Sequence, residues 1–170
     1  LAAWDADLWW LGVLTLTLIA AVLIVGVANI RSGVFLETFY AGRRDGAEVA
    51  LTFDDGPDPE WTPRVLSILA SRGVRATFFV VGRRVEAHPT LIMEILAGGH
   101  EVALHTYDHG LWYPFRSPAK IRDDLRRGVA ALVRAGAPEP RWFRPPNGLI
   151  TPSIAQEVAR AGLRVAGWTI

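Results

Sequence analysis

The residues best equipped for chemistry fall in three short clusters. Thr52-Phe53-Asp54-Asp55-Gly56-Pro57 places two carboxylates side by side. Such a pair repels unless a cation or a shared proton relieves it, so a divalent ion on one would leave the other free to act as a base. His105-Thr106-Tyr107-Asp108-His109 holds two of the chain's 4 histidines. The His-x-x-x-His spacing puts two imidazoles on one face of a helical turn, an arrangement that chelates one metal ion. With Asp55 they make a set of two histidines and one carboxylate, with open positions for water and substrate. Zinc suits this set, and Fe(II) uses a similar one. Asp108, between the histidines, reads as a turn or supporting residue rather than a ligand. In Arg144-Pro145-Pro146-Asn147-Gly148, Arg144 can hold a carboxylate in place and keep it ionised. Gly148 permits an unusual backbone angle, so the Asn147 amide can turn toward a site. Each cluster alone also reads as an ordinary turn or loop. Their joint occurrence carries the argument.

The elements around them must bring them together. From residue 48 onward short β-rich runs alternate with helical ones. Strands are expected at 49–53, 75–81, 101–105, 141–144 and 163–168. Helices are expected at 61–71, with Thr62 as cap and Gly73 as stop, at 89–97, at 117–135, with Ser117 as cap and Gly136 as stop, and at 152–161. This alternation calls for an α/β fold with a parallel sheet or barrel. Folds of that kind gather ligands at the C-terminal ends of their strands, where all three clusters fall.

Of the 170 residues 51% are apolar and 21% charged, with a formal net charge of +1, which excludes a disordered chain and gives no field for nucleic acid. Cysteine is absent, so neither disulfides nor thiolate ligands are available. Between Asp7 and Arg31 there is no charge at all. A helix over 8–30 would be about 34 Å long, enough for a hydrocarbon core of about 30 Å. Trp9 and Trp10 stand at one end and Arg31 at the other. The segment therefore reads as a transmembrane helix, after a flank at 1–7 and before a connector at 31–47.

From residue 48 to 170 the chain resembles the polysaccharide deacetylase family with the NodB homology domain, carbohydrate esterase family 4. Three motifs carry the resemblance in order: TFDDGP at 52–57, His-Thr-x-x-His at 105–109 and Arg-x-Pro-x-Gly at 144–148. The resemblance implies a distorted (β/α) barrel and a divalent metal cofactor, zinc before Co2+, Ni2+ or Fe2+. It assigns Asp54 as general base, Asp55, His105 and His109 as metal ligands, and Arg144 as the residue that orients Asp54. The Asn147 backbone N–H would stabilise the oxyanion. The chain departs from the pattern at Gly110, where proline often follows the second histidine, which is expected to loosen that loop. It departs again at Asn147, where an aromatic residue is common. Trp168 resembles the residue leading into a fourth motif. The later motifs, which include the family's general-acid histidine, would lie past residue 170, so the domain reads as C-terminally truncated and poorly active as given.

The implied activity is removal of N-acetyl groups from a glycan such as peptidoglycan or a chitin-like polymer, with Trp112, Tyr113 and Pro146 as candidate substrate contacts. Two other readings stay open: a deformylase or deacetylase of a lipid-linked amino sugar, and a membrane-tethered glycan-binding module without catalysis. His88 and His100 read as structural. The charges around the span, Asp5 and Asp7 against Arg31, Arg43 and Arg44, would put the domain in the cytoplasm. The resemblance implies an extracytoplasmic domain, which we take as the expectation.

Overall fold

The structure, a computed structural model, describes residues 8–42, 46 and 48–169. The expected flank at 1–7, and Arg43 and Arg44 of the charge argument, lie outside them. Elements follow in the order α1 (Trp9–Ala28), β1 (Thr38–Phe39), β2 (Leu51–Gly56), α2 (Trp61–Arg72), β3 (Ala76–Val80), α3 (Gly82–Ala87), α4 (Pro89–Ala97), β4 (Glu101–Leu104), α5 (Pro118–Arg134), β5 (Trp142–Phe143), α6 (Pro152–Arg160) and β6 (Arg164–Ala166). The strands form one sheet in the order β1-β6-β5-β4-β3-β2, with every pair parallel. In a flat sheet β2 and β5 would stand about 14 Å apart. Arg144, immediately after β5, nevertheless reaches side chains of β2, so the sheet curls toward a barrel. Among the described residues β1 and β2 do not pair, and the ring stays open between them.

Local chemistry explains most element ends. Pro89, Pro118 and Pro152 each open a helix, where a missing N–H costs nothing. Gly73 closes α2 in the left-handed conformation, with φ 62°. The start of α2 differs from the sequence expectation. Thr62 lies inside the helix, and the Asp58 carboxylate accepts the Glu60 and Trp61 amides instead. The Thr62 hydroxyl accepts the Asp58 amide. Ser117 does precede α5 but makes no side-chain capping bond.

The stretch 31–47 is more than a connector. It contains β1, paired with β6 through Thr38 and Val165, and Ile30 just before it is buried in the main core. The six-residue α3 was also not expected from sequence. The helix α1 spans 20 residues, nearly all exposed, which is shorter than the 8–30 expected. Its length and composition fit a bilayer.

The sheet has two different faces. Phe78, Val80, Leu104, Phe143 and Val165 join Ile92, Ile121, Leu125, Leu132 and Ile154 of the helices in the main core. The other face buries a smaller cluster of Phe79, Ala103 and Ala166, leaving room for one long side chain. Close packing of α5 depends on glycine. A Cβ added at Gly128 would lie 2.5 Å from the Leu104 side chain, and one at Gly82 would lie 3.1 Å from the Gly128 backbone. Gly128→Val therefore overpacks the contact of α5 with β4 and α3, and urea unfolding is expected to show a loss of about 1–3 kcal/mol.

Candidate active site

The three clusters meet at the C-terminal ends of β2, β4 and β5. Asp54 and Asp55 lie in the last residues of β2. On a regular strand adjacent side chains point to opposite faces. Here the register with β3 shifts between Phe53 and Gly56, and Asp55 has φ 66°. This bulge, rather than a turn beyond the strand, lets the two carboxylates serve one site. The segment 105–109 is not a helical turn. Thr106 (φ 66°) and His109 (φ 50°) are left-handed, and the Thr106 hydroxyl accepts the His109 amide. Asn147 (φ 56°) is the fourth such residue, and the non-glycine residues with positive φ among those described are these four alone. Confinement of unfavourable backbone to one place is a mark of function.

Asp55 Oδ1 lies 3.8 Å from His105 Nε2 and 3.4 Å from His109 Nε2. One donor atom from each of the three residues lies within 4.8 Å of the others. A tetrahedral ion with bonds of about 2.0–2.1 Å requires donor separations of about 3.3–3.5 Å, so the set fits a metal with small adjustments. The His105 ring supports the same conclusion. Its Nδ1–H donates to the Arg144 carbonyl at 2.6 Å, which leaves the Nε2 lone pair facing Asp55 and His109. Burial, the largest influence, lowers the imidazole below its ordinary range and outweighs the raising effect of the Asp54 charge. A neutral ring with a free lone pair is suited to ligate a cation rather than to form half of an ion pair. The divalent metal expected from sequence is thus matched by its donor set.

Arg144 joins the clusters. Its side chain, 4% exposed, donates from Nη1 to Asp54 Oδ1 at 2.6 Å and to the Thr52 hydroxyl at 2.9 Å. Nη2 donates to the Gly167 carbonyl at 2.8 Å and Nε to that of Ala166 at 3.3 Å. The guanidinium lies 3.9 Å from the centre of the Phe79 ring, filling the space left on the inner face of the sheet. Thr52 and Thr106 were not singled out from sequence, although both lie inside the motifs. Asn147, exposed, and Pro146, buried, occupy the short turn after β5.

The segment after His109 differs from expectation. Tyr113 is fully buried in the main core, so its ring offers no face to a sugar. The burial that raises its hydroxyl pKa has made it a packing residue beneath α5. Trp112 is 71% exposed and stacks obliquely on Phe115. Both line a cleft of about 680 Å³ with Asp108, Arg116, Lys120 and Asp124. That cleft lies beside the His105–His109 loop, and its lining does not include Asp55, His105 or His109. Gly110 does not leave the loop slack, because Arg116 donates to Asp108 at 2.8 Å and to Asp124 at 3.3 Å, and Asp124 accepts the Tyr107 amide. His100 is structural, as expected. Its Nδ1 accepts the Ala76 amide. His88 is half-buried at the joint between α3 and α4.

The fold and this arrangement define a polysaccharide deacetylase, NodB-type domain, and comparison with known proteins agrees. The polysaccharide deacetylase family model matches residues 41–166, so the chain belongs to that family. Among its relatives are a peptidoglycan-N-acetylglucosamine deacetylase of Bacillus cereus, 38% identical over 121 residues, and a chitooligosaccharide deacetylase of a Bradyrhizobium species, 39% identical over 142. These alignments cover 71% and 77% of this chain but 56% and 63% of the relatives, so the chain spans little more than half of their length. A family 4 carbohydrate esterase from Streptomyces lividans, solved with acetate, superposes with TM-score 0.69 at 33% identity, covering 72% of this chain and 62% of the other.

Asp124 gives the loop a titration of its own. Burial raises its carboxyl to about 6 against the opposing pull of the Tyr107 amide and of Arg116. The folded chain thus holds this proton more tightly than the unfolded one. The associated stability is fully present below about pH 4 and is lost as pH rises toward 6. Denaturation of the wild type and of Asp124→Asn should differ by an amount that falls by on the order of 2–3 kcal/mol across that window and is flat above it.

Proposed function

We propose that the chain carries the catalytic half-site of a metal-dependent N-deacetylase acting on a polymeric N-acetylated glycan, peptidoglycan or a chitin-like polymer. The observation that carries this reading is the pairing of a base with a ligand set: Asp54 held by Arg144, next to Asp55, His105 and His109. A module that only bound glycan would need no such base. The printed functions of the Bacillus and Bradyrhizobium relatives support the substrate class.

A divalent ion held by Asp55, His105 and His109, zinc by its donor set, would acidify a water and polarise the acetamide carbonyl. Asp54 accepts the proton of the attacking water. One of its oxygens is engaged by Arg144, and the side chain remains a third exposed, so a free edge faces the mouth. The new C–O bond places negative charge on the carbonyl oxygen, toward which we assign the Asn147 backbone N–H as donor. The C–N bond then breaks, and the proton that Asp54 took from the water balances the one that the leaving amine takes up. Exposed Trp112 is a sugar contact beside the site, whereas buried Tyr113 is not, and buried Pro146 supports the turn.

We assign α1 as a membrane anchor that holds an extracytoplasmic domain. The support is its 20 uncharged residues, exposed except at Gly26 and Val27. An Asp54→Asn chain should release acetate from chitin oligomers or peptidoglycan fragments about 100- to 10,000-fold more slowly than wild type while still taking up zinc. Unchanged acetate release would overturn the assignment of Asp54. Asp55→Asn should instead lose zinc uptake.

A further inference from the structure

The two histidine ligands are held in different ways. The His105 ring is buried, and its second nitrogen is bonded to the Arg144 carbonyl. The His109 ring is partly exposed, and among the described residues its other nitrogen has no partner. A ligand without an outer partner takes its position from its backbone. That backbone is left-handed at His109, with φ 50°, and must be held there. Its neighbours are held by one cation. Arg116 bridges Asp108, the residue before His109, to Asp124, whose other oxygen fixes the Tyr107 amide. Asp108 in turn accepts the amide of Gly110, the residue after His109. Without Arg116 two close carboxylates, one buried, would repel each other across this loop. Gly110 admits the guanidinium, since a Cβ there would lie 2.3 Å from Arg116 Nη2.

We propose that Arg116 is the positioning residue for His109, acting through Asp108 and Asp124, and that Gly110 is glycine to make room for it. The inference rests on the metal reading of the site. The test is calorimetric zinc titration of the metal-free full chain, with the visible spectrum of the cobalt-loaded chain as a second readout. Arg116→Met should weaken zinc binding about 10- to 100-fold and alter the cobalt bands, with partial recovery in Arg116→Lys. Because Arg116→Met strands a buried carboxylate and can unfold the chain, Arg116→Met/Asp124→Asn is the companion variant. It removes that charge, keeps an acceptor for the Tyr107 amide, and should still bind zinc weakly because Asp108 is unpaired. Gly110→Ala should weaken binding in the wild type and add nothing in the Arg116→Met background. Zinc affinity within about threefold of wild type in both Arg116→Met and Arg116→Met/Asp124→Asn, or full additivity of Gly110→Ala with Arg116→Met, would overturn the inference and leave the metal reading standing. A wild-type chain that takes up no zinc would overturn both.

Discussion

A guanidinium buried on the inner face of a curled sheet organises this molecule. Removing Arg144 from water costs several kcal/mol on general grounds, and the chain offsets this with one carboxylate, one hydroxyl, two carbonyls and an aromatic face. These partners come from β2, from the end of β6 and from β3. Satisfying the arginine is therefore the same event as bringing strand ends together. Its two functions separate by atom. The side chain holds the Asp54 carboxylate together with its other partners, which requires a planar fork that lysine lacks. The backbone carbonyl sets the tautomer of His105, which any residue could do.

Around this hub the backbone adopts costly conformations where the side chains must converge. Asp, His and Asn tolerate left-handed φ better than most residues. Thr106 is β-branched and does not, yet it is fully buried and its hydroxyl is bonded to the His109 amide. Local strain and the hydrogen bond that offsets it thus occur in the same residue.

Much of this was legible in the sequence because it rests on local chemistry. The strand–helix alternation, the prolines that open α4, α5 and α6, and the glycine that closes α2 need only nearest neighbours. The motif order pointed to residues that the fold brings together. What the sequence hid depends on distant partners. Strand β1 is two residues long and exists through its pairing with β6, so no alternation announces it. Tyr113 carries the same aromatic signal as Trp112, and only the packing of α5 decides that one is buried and the other exposed. Asp54-Asp55 reads as a turn because the bulge that re-aims them is defined against β3. The spacing of His105 and His109 suggests a helix, whereas a threonine hydroxyl and two left-handed residues achieve the same proximity without one.

The junction between α1 and the domain has a consequence for reach. Only Asn29 separates the end of the helix from Ile30, which is buried in the core, and the Ile150 amide donates to the Val27 carbonyl. Arg31 is bonded to the carbonyls of Trp168 and Thr169, past the end of β6, at the strand ends where the three clusters meet. Among the described residues no stalk separates α1 from the core. With α1 in a bilayer, the mouth would be confined to a thin shell of glycan next to the lipid, and polymer farther out would have to be brought to it.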